Sequence, residues 1–218
     1  MKKVDRSRYY TWLFQAAESF YERGNFDKAL KYFERLIKQH GKFLETSMKA
    51  DCYAYLGDIH LFNEDYPKAI DYLNRAIALD GSFAHYYYLL GMVYQTQENW
   101  RRAIEEFQRA VKHEPKNSIY LEELGRTFVF TGNLFEGEKQ LRKAWKLDTT
   151  NIGAGVELAG VLLSLGKFKD TVVMVDEIIK THQTLHDGII DYLENLKADA
   201  ERGLEEKARR RRHKKKRG

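Results

Sequence analysis

Apolar residues recur along most of this chain at intervals of three and four, the spacing that lines one face of an α-helix. The pattern runs in pairs of stretches separated by a short polar break. Each pair reads as two amphipathic helices joined by a tight turn. Three segments align without gaps: YAYLGDIHLFNEDYPKAIDYLNRAIAL, YYLLGMVYQTQENWRRAIEEFQRAVKH and LEELGRTFVFTGNLFEGEKQLRKAWKL.

The alignment exposes a period of 34 residues, which relates Gly57, Gly91 and Gly125. Leu56, Leu90 and Leu124 keep the same register, as do Ala76, Ala110 and Ala144. Ala69 and Ala103 are matched by Gly137. Small residues at fixed places let two helices approach where their axes cross. Bulky ones, such as Tyr66, Tyr94, Trp100 and Phe107, fill the space between hairpins. A single hairpin cannot bury both of its faces, so copies must stack.

These residues carry a resemblance to the tetratricopeptide repeat. The copy holding Leu90, Gly91, Tyr94, Trp100, Ala103, Phe107, Ala110 and Pro115 matches that family's pattern best. With the frame set, a copy before the three aligned ones includes Ala17, Phe20, Gly24, Phe26, Ala29, Phe33 and Leu36. Another after them includes Leu158, Ala159, Leu162, Gly166, Phe168, Val175 and Ile178, with Thr171 and Ile178 where the family has alanines. The fold that the resemblance implies is all-α: a right-handed superhelical solenoid of about five helix-turn-helix repeats. The repeats span about 10–43, 50–83, 84–117, 118–151 and 152–184, after a basic lead-in over 1–9. Six extra residues around GKFLETSMK lengthen a loop or the flanking helix ends.

Beyond the repeats, Ile189, Leu193, Leu196, Ala200 and Leu204 fall on one helical stripe. The expectation is a C-terminal helix over 185–206 that caps the last hairpin, as a solenoid end requires. A free amphipathic dimerisation handle is the alternative. Residues 207–218 form a basic tail, read as disordered or a frayed helix.

Charge changes this picture. The formal net charge is +5, with 37 Lys/Arg against 32 Asp/Glu. Nine of those bases lie in 207–218, and 28 against 32 leaves residues 1–206 at −4. The body is therefore mildly acidic and the tail strongly basic. With 43% apolar residues the chain has material for a real core. One cysteine, Cys52, excludes an internal disulfide and suits a reducing compartment. No apolar run of signal-peptide or membrane-span length occurs, so a cytoplasmic setting is expected.

Candidate chemistry is thin, and no enzyme is expected. Neither GxxxxGK[ST] nor GxGxxG is present, and the glycines of NIGAGVELAG read as helix-packing contacts. His182 and His186 lie four apart but lack a third ligand, so no metal and no cofactor are assigned. Cys52 reads as a small buried residue. The acidic pairs Glu105/Glu106 and Glu122/Glu123 read as solvated helix faces.

The resemblance also implies a binding surface, because the first helix of each repeat lines a concave groove in that family. Carried over by position, the groove takes Thr11, Phe14, Gln15 and Glu18, then Asp51, Ala54, Tyr55 and Asp58. His85, Tyr88, Leu89 and Met92 follow, then Ile119, Glu122, Glu123 and Arg126, and lastly Gly153, Val156 and Glu157. Relatives that clamp acidic chaperone tails place Lys and Asn at fixed groove positions. Here Phe14 and Glu18, Ala54 and Asp58, and His85 and Leu89 stand there, so that function is not expected. The groove suits a protein or peptide with apolar anchors and basic residues, not a small-molecule substrate.

The tail offers a second surface in Arg209, Arg210, Arg211, Arg212, Lys214, Lys215, Lys216 and Arg217. Such a run neutralises nucleic-acid phosphates or anionic lipid headgroups, or serves as an import signal. It also complements the acidic groove, which opens the way to a homo-oligomer.

Overall fold

The computed structural model describes residues 3–182 and 184–215. Its eleven α-helices fall into two compact units, residues 1–114 and 115–218. No strand occurs among the described residues, and none of their helices is long and apolar enough to cross a membrane.

The first unit holds three hairpins: α1 (Lys3–Glu22) with α2 (Phe26–Arg35), α3 (Thr46–Phe62) with α4 (Tyr66–Leu79), and α5 (Ala84–Thr96) with α6 (Trp100–His113). Successive hairpins stack through α2 on α3, α4 on α5, and α3 on α5. The second unit holds α7 (Ser118–Phe130) with α8 (Leu134–Leu147) and α9 (Ile152–Ser164) with α10 (Phe168–Thr181). Helix α11 (Asp187–Lys215) lies against α10 and α9.

The 34-residue glycines mark where the two helices of a hairpin touch. A Cβ on Gly57 would stand 2.7 Å from Leu73, one on Gly91 2.6 Å from Phe107, and one on Gly125 2.8 Å from Leu141. Leu73, Phe107 and Leu141 are themselves fully buried, so no methyl can be admitted without moving the core. Gly137 takes the alanine position for a related reason: the Val129 side chain already occupies the space of its Cβ, at 2.6 Å.

The hairpin turns obey one local rule. In all five, a residue at positive φ is followed by the N-cap of the second helix: Gly24, Glu64, Glu98, Gly132 and Gly166 precede Asn25, Asp65, Asn99, Asn133 and Lys167. The Asn and Asp side chains accept from the backbone N–H three residues on, satisfying a helix-end donor worth about 1 kcal/mol. Lys167 cannot accept, and α10 begins without a side-chain cap. Its ammonium bonds Glu138 at 2.5 Å instead.

The six-residue insertion extends helices on both sides. Leu36–His40 continues α2 as a π-helical turn, and α3 starts at Thr46, one turn before the position equivalent to the start of α5. The lead-in of 1–9 is helical from Lys3 onward. In the first unit Leu13, Ala17, Phe33, Leu36, Cys52, Leu56 and Ile59 form one buried cluster. Burial also pushes the Cys52 thiol far up, which leaves it an inert packing group.

Helix α11 caps its unit. Leu193 and Ala200 are fully buried and Leu196 nearly so; Leu193 and Leu196 share a cluster with Leu158, Leu162, Val175 and Ile178. Thr171 and Ile178, the departures from alanine, are fully buried in the same unit. The Phe168 ring lies where a Cβ on Gly203 would stand, so α11 can sit directly on it. The helix does not stop at 206. It continues through Lys215, so the tail is helical up to that residue. Glu205 and Glu206 lie one turn before Arg209 and Arg210, and the cations stand at the helix C-terminus, where the dipole favours them.

One expectation changes in physical character. Glu106, Glu122 and Glu123 are not solvated: they are buried, at 7%, 8% and 7% exposure. Arginine makes this possible, Arg109 for Glu106 and Arg126 for the other two. His182 and His186, four apart in sequence, stand on no common helix: His182 caps the end of α10 and His186 precedes α11. His182 Nε2 lies 2.8 Å from the Thr149 carbonyl oxygen.

Candidate functional site

The first unit contains a cavity of about 420 Å³ between α1, α3 and α5. Its walls are Glu18 and Tyr21 from α1, Asp51, Ala54, Tyr55 and Asp58 from α3, and His85, Tyr86 and Leu89 from α5, with Phe83 just before that helix. Spacings of three and four put these residues on one face of each helix. The hairpin stacking then brings the three faces together.

Three carboxylates and three tyrosines interlock across the repeats. The Tyr55 hydroxyl donates to Glu18 Oε1 at 3.0 Å, and the Tyr86 hydroxyl to Asp51 Oδ1 at 2.6 Å. Tyr21 donates to Asp58. Burial first, and the facing carboxylates second, hold all three phenols above their ordinary range, so they stay neutral donors. A neutral hydroxyl orients a carboxylate but does not cancel its charge. Among the described residues no Lys or Arg pairs with Glu18, Asp51 or Asp58. The wall is therefore aromatic and acidic without compensation.

Rings back this wall. Tyr55 stacks on the buried Phe33 at 4.8 Å between centroids, and meets Tyr21 edge-on at 5.0 Å and Phe14 at 6.1 Å. Phe83 meets Tyr86 at 4.8 Å and is partly exposed at the mouth. His85 stacks on Tyr88 at 5.6 Å; the protein crowded around its imidazole lowers its pKa against the pull of Asp58.

Of the residues singled out in the first three repeats, Glu18, Asp51, Ala54, Tyr55, Asp58, His85 and Leu89 line the cavity. Phe14 packs behind it, and Thr11, Gln15, Tyr88 and Met92 stand outside its walls. Counted by 34 from Ala54 and Asp58, the third repeat offers Tyr88 and Met92, which also supply no Lys or Asn. Tyr21, Phe83 and Tyr86 are additional. The first could be read from its place three residues after Glu18, on the same helical face. Phe83 precedes its helix, and no periodic signal marks it.

In the second unit the corresponding positions close on themselves. Arg126 reaches Glu122 at 2.6 Å, Glu123 at 3.1 Å and Glu157 at 2.5 Å. Asn151 donates to the second oxygen of Glu122 at 2.8 Å. Glu122 also fills the space where a Cβ on Gly153 would stand, which accounts for that glycine. Burial lifts the Glu157 carboxyl above its usual value despite Arg126. Ile119 stays exposed and Val156 half-buried. These acids are structural partners of one arginine.

The tail residues Arg209, Arg210, Arg211 and Arg212 are exposed on α11. The side chains of Lys214 and Lys215, and Lys216 and Arg217 entirely, lie outside the described residues. The last anchored position is Lys207, whose ammonium donates to the Gly166 carbonyl at 2.8 Å and stands 4.4 Å over the Phe168 ring. Among the described residues no group of three or more His, Cys, Asp or Glu is placed to hold a metal ion.

The stacked hairpins, with a glycine contact inside each aligned copy, define a helical-repeat protein. More specifically, the chain belongs to the tetratricopeptide-repeat family, whose models match residues 9–82 and 84–117. No curated protein matches the sequence significantly. Solved structures of similar fold include PilF of Pseudomonas aeruginosa, at 15% identity and a TM-score of 0.73 over 90% of each chain. MamA of Desulfovibrio magneticus RS-1 matches at 17% identity and a TM-score of 0.67, over 78% of this chain and 93% of that one. YrrB, described as a TPR protein with an unusual peptide-binding site, matches at 17% identity and a TM-score of 0.64, over 84% and 90%.

Proposed function

We propose that this chain is a protein-binding scaffold in the cytoplasm whose first unit takes a partner segment carrying Lys or Arg beside apolar residues. One observation carries the reading. Glu18, Asp51 and Asp58 converge on a ring-lined cavity, each oriented by a tyrosine of an adjoining repeat, with no Lys or Arg among the described residues to answer them. A guanidinium or ammonium entering there meets carboxylates at its head and aromatic faces along its stem. The likeness to YrrB is consistent with a peptide as ligand. The acids Glu122, Glu123 and Glu157 have a smaller part, since Arg126 already occupies them.

Peptide display selection against the full chain tests this. Selected sequences should carry Lys or Arg flanked by Leu, Ile or Phe, and Asp51→Asn with Asp58→Asn should weaken them at least tenfold. Enrichment of acidic peptides, or binding indifferent to the two substitutions, would contradict it.

A second reading assigns nucleic acid or anionic lipid to the tail, and the exposed row Arg209–Arg212 favours it. Its mark is binding to duplex DNA or phosphatidylserine vesicles that falls steeply with salt and vanishes on removal of residues 209–218. Retention of that binding by the shortened chain would exclude it.

A further inference from the structure

We propose that the occupant of the first unit's cavity is the arginine-bearing end of α11 from a second copy of this chain, so that the protein associates with itself. The proposal rests on the reading of that cavity as a cation-accepting site, and names its partner.

The argument begins with where α11 is held and where it is not. Lys207 is fastened to the Gly166 carbonyl and the Phe168 ring. No Gly or Pro occurs from Leu204 to Arg217, and the helix is unbroken through Lys215. Residues 208–215 thus form two helical turns, about 12 Å at 1.5 Å per residue. They carry no large apolar side chain to tie them down. The pairs Arg209–Glu205 and Arg210–Glu206 are long, at 3.6 and 3.8 Å, and exposed, so they compensate little. Arg211 and Arg212 have no acidic partner among the described residues. The protein therefore displays an exposed cluster of guanidinium groups on a helix.

The cavity is the counterpart. Buried acids of the second unit meet bases: Glu138 has Arg142 and Lys167, and Arg126 has three glutamates. Glu18, Asp51 and Asp58 are left with neutral hydroxyls. At about 420 Å³ the cavity is too small for a helix of roughly 10–12 Å diameter, but it accepts long side chains entering from its mouth. Arginines on a protruding helix are built for that entry, with Phe83 and Tyr86 flanking the stems. Charges spread around the helix, with no apolar stripe beyond Ala208, suit an acidic concavity better than the one-sided surface of a bilayer.

Sedimentation velocity on the full chain tests the proposal, over a hundredfold range of concentration at 50 and 500 mM salt. The wild type should associate at low salt and dissociate at high salt. R209E/R210E/R212E and D51N/D58N, each checked for helicity, should both associate at least tenfold more weakly. An equimolar mixture of the two should recover heterodimers, because one supplies an intact cavity and the other an intact tail. A wild type that is monomeric throughout, a D51N/D58N chain that still associates, or a mixture that fails to recover would overturn it. Titrating a selected cationic peptide into R209E/R210E/R212E separates the two ideas. Peptide binding by a chain whose wild type is monomeric sinks the self-docking alone; no peptide binding sinks the cavity reading as well.

Discussion

The Tyr55 hydroxyl and the Glu18 carboxylate meet at 3.0 Å across the first and second repeats, while Tyr21 reaches the opposite way to Asp58. These reciprocal bonds couple α1 to α3 and set the direction in which the acids face the cavity. Tyr55→Phe keeps the stack on Phe33 and removes only the donor. It should cost about 1 kcal/mol in urea unfolding. A variant as stable as the wild type would show that the bond is made at no gain over water.

Arg126 holds the second unit's acids. Replacing it with Met takes the guanidinium away from the buried Glu122 and Glu123, and from Glu157 beside them. Because Arg126 is itself about a third exposed, the loss should be moderate, about 2–3 kcal/mol at pH 7. Its pH dependence has a definite sign. Burial already raises the Glu157 carboxyl in the folded protein, and losing Arg126 raises it further. A folded-state value above the unfolded one favours folding at low pH and opposes it as pH rises through the folded value. The gap between variant and wild type should therefore shrink as pH falls toward 4.5, the ordinary glutamate value. Urea melts at several pH values read this directly, and a gap that widens at acid pH would refute it.

Gly91 faces the Phe107 ring with no room for a methyl. Gly91→Ala should destabilise by about 1–3 kcal/mol. The same change in a Phe107→Leu background should cost less, since the smaller side chain yields space. A double-mutant cycle in thermal melts measures that coupling, and strict additivity would argue that the contact is not the cause.

Glu98 adopts a left-handed conformation in a turn where three other repeats use glycine. Glu98→Gly should stabilise the protein by about 1 kcal/mol. A fall in melting temperature would mean that the Glu98 side chain makes a compensating contact.

Much of this architecture was legible because a repeat states its own rules several times. The 34-residue spacing of Gly57, Gly91 and Gly125 locates the contact inside each hairpin, and the stripe of Leu193, Leu196 and Ala200 marks the cap. Partnering was less legible. Glu18 and Glu122 are both acids on the first helix of a repeat, yet Glu18 faces a hydroxyl and Glu122 a guanidinium. Arg126 stands one turn on along the same helix as Glu122, whereas the partner of Glu18 comes from the next hairpin, 37 residues away. Tyr86 escaped notice likewise, because its partner Asp51 lies 35 residues earlier. The helical tail was obscured by its composition: a run of cations reads as unstructured until the preceding glutamates and the anchored Lys207 are taken into account.

The most direct measurement is fluorescence anisotropy of a labelled peptide alternating Arg and Leu, titrated with the full chain and with D51N/D58N at low and high salt. The expected result is saturable binding by the wild type, weakened at least tenfold by the paired substitution and by salt. Equal affinity for both chains, at either salt, would contradict the assignment of the cavity as the binding site.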